Sequence, residues 1–260
     1  MRYALGIEYE GTAYQGWQKQ TGTYAVQSKV EAAISYIADH PVDVTCAGRT
    51  DKGVHALGQV IHFDTSSHRD NYAWLMGINR YLPADINVHW IKSVSADFHA
   101  RFSATARQYR YLIYAHPHRS GIFRDHMTWI YHALDIEAMR TGAAYLVGKH
   151  DFTSFRAQDC QAKTATRQIM FLNIMQEGPC IRIDIKANAF LYHMVRNIVG
   201  VLLQVGRGKA KPEWVAEVLA QKDRRKAGIT APATGLYFIG ADYPERFELP
   251  ALFYDSPLEG

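Results

Sequence analysis

The chain opens with alternation. "RYALGIEYEG" sets apolar against polar residues on a period of two, which predicts a strand within the first residues. The period then lengthens: in "AVQSKVEAAISYIA" Val26, Val30, Ala33, Ile34 and Ile37 recur at helical spacing and predict an amphipathic helix. "PVDVTCAG" and "GQVIHFDT" predict two more strands, separated by a turn at Gly48. "RDNYAWLMGINRYL" predicts a helix that Pro83 ends, and "INVHWIKSVSADF" a fourth strand. The rhythm then repeats. "RQYRYLIYAH" predicts a long strand, and "DIEAMRTGAAYLVG" a helix with Asp135 as its N-cap. "QIMFLNIMQEGPCIRIDIKAN" predicts two strands joined at Glu177-Gly178-Pro179. "LYHMVRNIVGVLLQVG" carries an apolar stripe and predicts a helix ending near Gly206 and Gly208. "PEWVAEVLAQ" predicts a helix with Pro212 in its first turn, and "GLYFIGADY" a last strand.

Strands and helices alternate in both parts of the chain, with hairpin-like strand pairs inside each. The expected class is α+β: two halves, each a mostly antiparallel sheet backed by helices. The halves share rhythm and little sequence, so internal duplication is no more than a hint. The expected boundary falls near residues 100–108, giving an N-terminal half at 1–104 and a C-terminal half at 105–260. No low-complexity linker separates them. A chain of 260 residues, 48% hydrophobic and 21% charged, can bury a substantial core. Its apolar runs are interrupted well short of bilayer length, and the N-terminus lacks the apolar core of a secretory leader. Cys46, Cys160 and Cys180 lie far apart and suggest neither a disulfide framework nor a zinc site. A reduced, cytoplasmic compartment is expected.

The net charge of +4 is a mild bias that does not by itself indicate nucleic acid. Its distribution is more informative. Arg101, Arg107, Arg110, His116, His118, Arg119 and Arg124 crowd one interval, Arg207, Lys209 and Lys211 another, and "KDRRK" a third. Sixteen tyrosines and five tryptophans add possible stacking surfaces for bases. Taken singly, each basic cluster reads equally as a solvated face. Other chemistry is set aside. "VGRGK" lacks the first glycine of a phosphate loop and follows a helix rather than preceding one. His62, Asp64 and His68, and the pair His116 and His118, match no metal-ligand spacing. Neither a nucleophile elbow nor a dinucleotide fingerprint is present. No metal and no cofactor are expected.

Residues 46–60 read "CAGRTDKGVHALGQV", a dense group of charges between strand-like segments. In an extended segment residues two apart point to the same side, so Arg49 and Asp51 can share one wall. A guanidinium beside a carboxylate favours its ionised form. An ionised carboxylate with few hydrogen-bond demands is a candidate nucleophile. From spacing alone, the alternative of a surface Arg/Asp turn stays open.

"GRTDKGVHA" resembles the signature of the tRNA pseudouridine synthase I family, the TruA family of bacterial type. "EYEGTAYQGWQKQ" resembles that family's first motif, "FHARFSATARQYRY" its middle motif, "FLYHMVRNIVGVLLQVGRGK" its second-half helix and "APATGLYFIGADYP" its C-terminal strand. The five stretches occur in the family's order along nearly the whole chain. Glu10 stands where members often carry Asp, "KDRRKAG" is a variable segment, and beyond about residue 245 the resemblance is silent. The resemblance implies an isomerase, an intramolecular transferase converting uridine to pseudouridine at positions 38, 39 and 40 of the tRNA anticodon stem-loop. It implies that Asp51 is the catalytic nucleophile, that Tyr109 packs on the target base, that Arg49 helps displace that base and that Arg196 pairs with the nucleophile. It also implies two RRM-like halves around a central basic cleft, a homodimer, and no cofactor or metal.

The residues can be weighed independently. In "RQYRYLIY", Arg107, Tyr109 and Tyr111 share one face of the predicted strand, and on pattern alone both tyrosines read as core. Given the resemblance, Tyr109 is assigned to the cleft and Tyr111 to packing. Arg196 sits on an apolar helix, where a lone Arg needs a carboxylate partner such as Asp51. The competing reading is a non-catalytic RRM-like RNA-binding protein. It accounts for the basic and aromatic residues but gives Asp51 no task, and it lacks the aromatic-rich strand of such modules. A different uracil enzyme, such as a methyltransferase, calls for a cofactor motif or a reactive Cys.

Overall fold

The computed structural model describes residues 1–250. They form two compact units, residues 1–107 with 237–250, and Gln108–Leu236. The strands in chain order are β1 (Arg2–Tyr9), β2 (Thr45–Cys46), β3 (His55–Asp64), β4 (Ile86–Val94), β5 (Ala106–Ala115), β6 (Thr128–Ile130), β7 (Gly148–Asp151), β8 (Thr166–Glu177), β9 (Cys180–Ala187) and β10 (Leu236–Asp242). The α-helices are α1 (Val26–Ala38), α2 (Asn71–Tyr81), α3 (Ile136–Ala144), α4 (Met194–Gly206) and α5 (Trp214–Gln221). This is the mixed α+β, mostly antiparallel architecture that the alternating periods predict. No helix of the described residues is long and apolar enough to cross a membrane.

In the first unit the sheet order is β4-β1-β3-β10. β1 is antiparallel to β3, with Arg2 opposite Asp64 and Ile7 opposite Gln59, and to β4, with Tyr9 opposite Ile86. Tyr3, Leu5, Ile7 and Tyr9 alternate on one face and are all buried, and Ala4 on the other face is buried too. α1 packs on α2, and α2 on β4. Trp74 of α2 closes this layer, its ring 5.6 Å from those of Tyr3 and Phe63. Asp70 caps α2 by accepting from Ala73 N at 2.7 Å. The helix stops at Tyr81 because Leu82, held extended before Pro83, has ψ 147°. β3 is the strand that places the site. β2 pairs antiparallel with its far end, Cys46 opposite Ile61, whereas β10 pairs in parallel with its near end, Tyr237 opposite His55. The link from Ala47 to Val54 therefore runs beside the middle of β3, and Ala47 N donates to Val60 O at 2.8 Å.

In the second unit the order is β5-β9-β8-β7, with β6 parallel on β5. β8 and β9 form the expected hairpin, Glu177 opposite Cys180, turning at Gly178. α3 packs on β8, α4 and α5. Its N-cap is Asp135, which accepts from Ala138 N at 2.9 Å. α4 begins at Met194, three residues into its apolar pattern, because His193 takes a left-handed φ of 60° that no helix continues. Nearly all of α4 is buried. Gly200 is required on it: a Cβ there would lie 1.9 Å from Ile229 O. This close approach lets the segment at 229–231 lie against the helix, and Ala231 N donates to Arg196 O at 3.0 Å.

Candidate active site

Arg49, Thr50 and Asp51 lie in the link between β2 and β3, and their exposure alternates. Thr50 is buried, Arg49 is exposed and Asp51 is half-buried. The link is fixed through the residues between and beside the two charged ones. Thr50 O accepts from Trp17 N at 3.0 Å, and Thr50 Oγ1 lies 2.7 Å from Tyr9 Oη within the core. Gln59 of β3, fully buried, donates from Nε2 to Gly48 O at 2.6 Å, and its Oε1 accepts from Gly48 N at 3.4 Å. Asp51 O accepts from Val54 N at 3.1 Å, closing a turn over Lys52 and Gly53. Gly16 completes the seat: its φ is +102°, and its α-carbon faces the Thr50 and Asp51 backbone at a distance that admits no side chain.

The loop before α1 is itself anchored to β3. Gly11 N donates to His55 Nδ1 at 3.0 Å, and the Glu10 carboxylate lies 3.2 Å from the same nitrogen. The His55 ring is buried and stacks on Tyr237 at 4.7 Å. Thus "EYEGTAYQGW" and "GRTDKGVH", more than thirty residues apart, build one seat for the Asp51 turn.

Cations surround the link. The Arg107 guanidinium donates to Ala47 O at 3.3 Å, to Ala104 O at 3.0 Å and to Arg101 O. Burial pushes the Cys46 thiol up to about 12, and the positive charges of Arg49 and Arg101 offset this only in part. Cys46 is therefore a protonated core residue and no nucleophile.

Tyr109 and Arg196 belong to the second unit. Tyr109 is half-buried on β5, its ring edge-on to Phe190 at 5.0 Å. Its neighbours on the strand have structural tasks. Tyr111 is fully buried; its hydroxyl lies 2.6 Å from Thr128 Oγ1 and donates to Pro232 O at 2.8 Å. Arg110 pairs with Asp184 at 2.7 Å, and Arg182 approaches the same carboxylate at 2.9 Å. The assignment of Tyr111 to packing thus agrees with its surroundings. Arg196 lies in the first turn of α4, half-buried, with Nε donating to Ala231 O at 2.8 Å. One guanidinium donor is thereby spent on holding the side chain, which orients the rest of the group.

Sequence reasoning picked out the charged residues of the link and missed those that hold it: Tyr9, Gly16, Thr50, His55 and Gln59. Only Thr50 left a usable signal, being the middle of an alternating triplet.

Comparison with known proteins agrees with this assembly of motifs. The family model described as tRNA pseudouridine synthase matches residues 6–103 and 143–244. A tRNA pseudouridine synthase A of Pseudoalteromonas atlantica is 56% identical over 252 residues, covering 97% of this chain and 96% of that one. Proteins of the same name from Colwellia psychrerythraea and Methylococcus capsulatus are 55% and 54% identical, covering 96% and 100% of this chain and 96% of each relative. The matched stretches include both motifs that build the Asp51 seat and the helix that carries Arg196. The chain belongs to the tRNA pseudouridine synthase family.

Proposed function

We propose that this enzyme, an isomerase of uridine in tRNA, acts on positions 38, 39 and 40 of the anticodon stem-loop with Asp51 as its catalytic carboxylate. The reaction breaks the N1–C1′ bond, turns the uracil and joins C5 to C1′. The C5 proton leaves to solvent and N1 gains one, so the product is an isomer and no oxidant, reductant or added group enters the balance. A carboxylate serves this chemistry by attacking C1′ or C6, or by stabilising positive charge at the ribose. The observation that carries the reading is the presentation of Asp51. Its backbone is seated by buried groups on both sides, and the residue is half-buried, two positions from an exposed Arg49.

The target uridine must leave its stack, at a cost of a few kcal/mol. In this proposal Tyr109 stacks on the displaced base, which offsets about 1–3 kcal/mol. Arg49 fills the vacated space, and Arg196 supplies positive charge beside the reacting carboxylate. Each α+β unit is RRM-like, and the enzyme works as a cytoplasmic homodimer. The test is tritium release from a tRNA labelled at uridine C5, beside a transcript whose uridines at 38, 39 and 40 are replaced by cytidine. Release from the first and none from the second is expected. Equal release from both would overturn the assignment of position.

A further inference from the structure

Three buried polar side chains stand under the Asp51 link with no task in the chemistry. Tyr9 is 3% exposed, Gln59 0% and Thr50 7%. Two of them are joined directly: Tyr9 Oη meets Thr50 Oγ1 at 2.7 Å. Gln59 in turn engages both the carbonyl and the N–H of Gly48. Hydrogen-bonded polar groups in a core add specificity of conformation more than net stability, because apolar groups of the same shape stabilise about as well. The position of this network is therefore informative. It holds Gly48 on one side of Arg49, and Thr50 between Arg49 and Asp51. Fixing Gly48 on one side of Arg49 and the Thr50 side chain on the other limits the directions in which residues 49 and 51 project. The two strands that supply the network, β1 and β3, pair directly, with Ile7 opposite Gln59 and Tyr9 opposite Ala56. The reference frame is thus the rigid middle of the sheet.

We infer that Tyr9, Thr50 and Gln59 are positioning residues, a buried template that aims Arg49 and Asp51 at the substrate uridine. This rests on the reading of Asp51 as the catalytic carboxylate. Because the side-chain hydrogen bonds of Tyr9, Thr50 and Gln59 stay within the link and its seat and engage no basic side chain, their loss should lower the rate of the chemical step and leave RNA affinity, which phosphate contacts dominate, unchanged.

The test uses Thr50→Val, which keeps shape and removes the hydroxyl, Thr50→Ser, which keeps the hydroxyl, and Tyr9→Phe, which removes one oxygen. Asp51→Ala is run beside them. Each protein is taken through thermal unfolding, filter binding of tRNA and single-turnover tritium release at saturating enzyme. Thr50→Val and Tyr9→Phe are expected to lose about ten- to hundredfold in the single-turnover rate, the scale of a sub-ångström misplacement. Their tRNA affinity should match the parent, and Thr50→Ser should recover most of the rate. If folded Thr50→Val and Tyr9→Phe turn over like the parent while Asp51→Ala is inactive, the template is overturned and Asp51 stands. An active Asp51→Ala overturns the reading of Asp51 itself, and the template with it. Should Thr50→Val fail to fold, Tyr9→Phe carries the test. If neither folds, the network is a folding element and the inference fails.

Discussion

Replacing Gly16 by Ala perturbs the Asp51 turn from outside it. Gly16 holds φ +102°, and a Cβ built there lies 2.7 Å from Thr50 O, 3.1 Å from the Asp51 carbonyl carbon and 3.2 Å from Lys52 N. All three are backbone atoms, so no rotamer change relieves the contact. Ordinary contact begins at 3.4 Å, so loop and link must part by about 0.7 Å, the difference between 3.4 and 2.7 Å. The left-handed backbone adds about 1–2 kcal/mol for a residue with a side chain. Together with the strained contact, a loss of about 2–3 kcal/mol is expected, within the usual range for a mutation at a special backbone conformation. The consequence for turnover is larger in proportion. The Trp17 N to Thr50 O bond, 3.0 Å in the parent, lengthens past useful range, and the turn moves. A misplacement approaching 1 Å costs up to about 10²-fold in rate. Gly16→Ala should therefore melt several degrees below the parent and, in the folded fraction, lose about one to two orders of magnitude in single-turnover tritium release, with tRNA affinity unchanged. A folded Gly16→Ala protein with parental turnover would refute the reasoning, because the turn would then tolerate the displacement.

Three further outcomes follow from other parts of the molecule. Tyr109→Leu should lose most of its turnover while Tyr109→Phe retains the stacking contribution of about 1–3 kcal/mol, and a Leu variant as active as the parent would reduce Tyr109 to packing. Asp184→Asn should cost about 2–4 kcal/mol in chemical denaturation, because Arg110 and Arg182 lose their shared, largely buried carboxylate, and unchanged stability would contradict that pairing. His62 is held neutral: burial, and then the charges of Arg2 and His99, push it down from 6.5 to about 4. Between those values the unfolded chain binds the extra proton, so stability falls as pH drops below 6.5, by about 2 kcal/mol near pH 5. A His62→Gln variant should lack this share of the acid sensitivity, and an identical pH profile for both proteins would exclude His62 as its source.

The order of elements was largely legible because long segments keep one period throughout. The β8–β9 hairpin turns at the glycine that the sequence marks, and Pro83 stops α2 through the residue before it. The short strands β6 and β7, of three and four residues, were not legible, since so few positions show no period and their pairing is decided by neighbours. β2 shrinks to Thr45–Cys46 although "PVDV" alternates: Val42 and Val44 are buried against the helical layer without joining the ladder. At the site, charge and spacing marked Arg49 and Asp51 as candidates, and only the family resemblance gave them roles. Nothing comparable marked Tyr9, Gly16 and Gln59. A Tyr or Gln in a strand reads as face or edge, and only the tertiary fold brings residue 9 to residue 50 and residue 59 to residue 48.

The central claim is that the carboxylate of Asp51 performs the chemistry. Asp51→Asn keeps the approximate size and shape of the side chain and removes its charge, and Asp51→Ala removes the group altogether. Both proteins must first be shown to fold like the parent, because if Asp51 pairs with Arg196 as proposed, its loss strands a guanidinium at a cost of a few kcal/mol. The measurement is single-turnover tritium release from tRNA labelled at uridine C5, beside a filter-binding titration on the same preparations. The account predicts no detectable release from either variant and tRNA affinity equal to or slightly above the parent's, since an anion has left the RNA-facing surface. Near-parental release by folded Asp51→Ala would contradict it and leave Arg49-Thr50-Asp51 a structural turn.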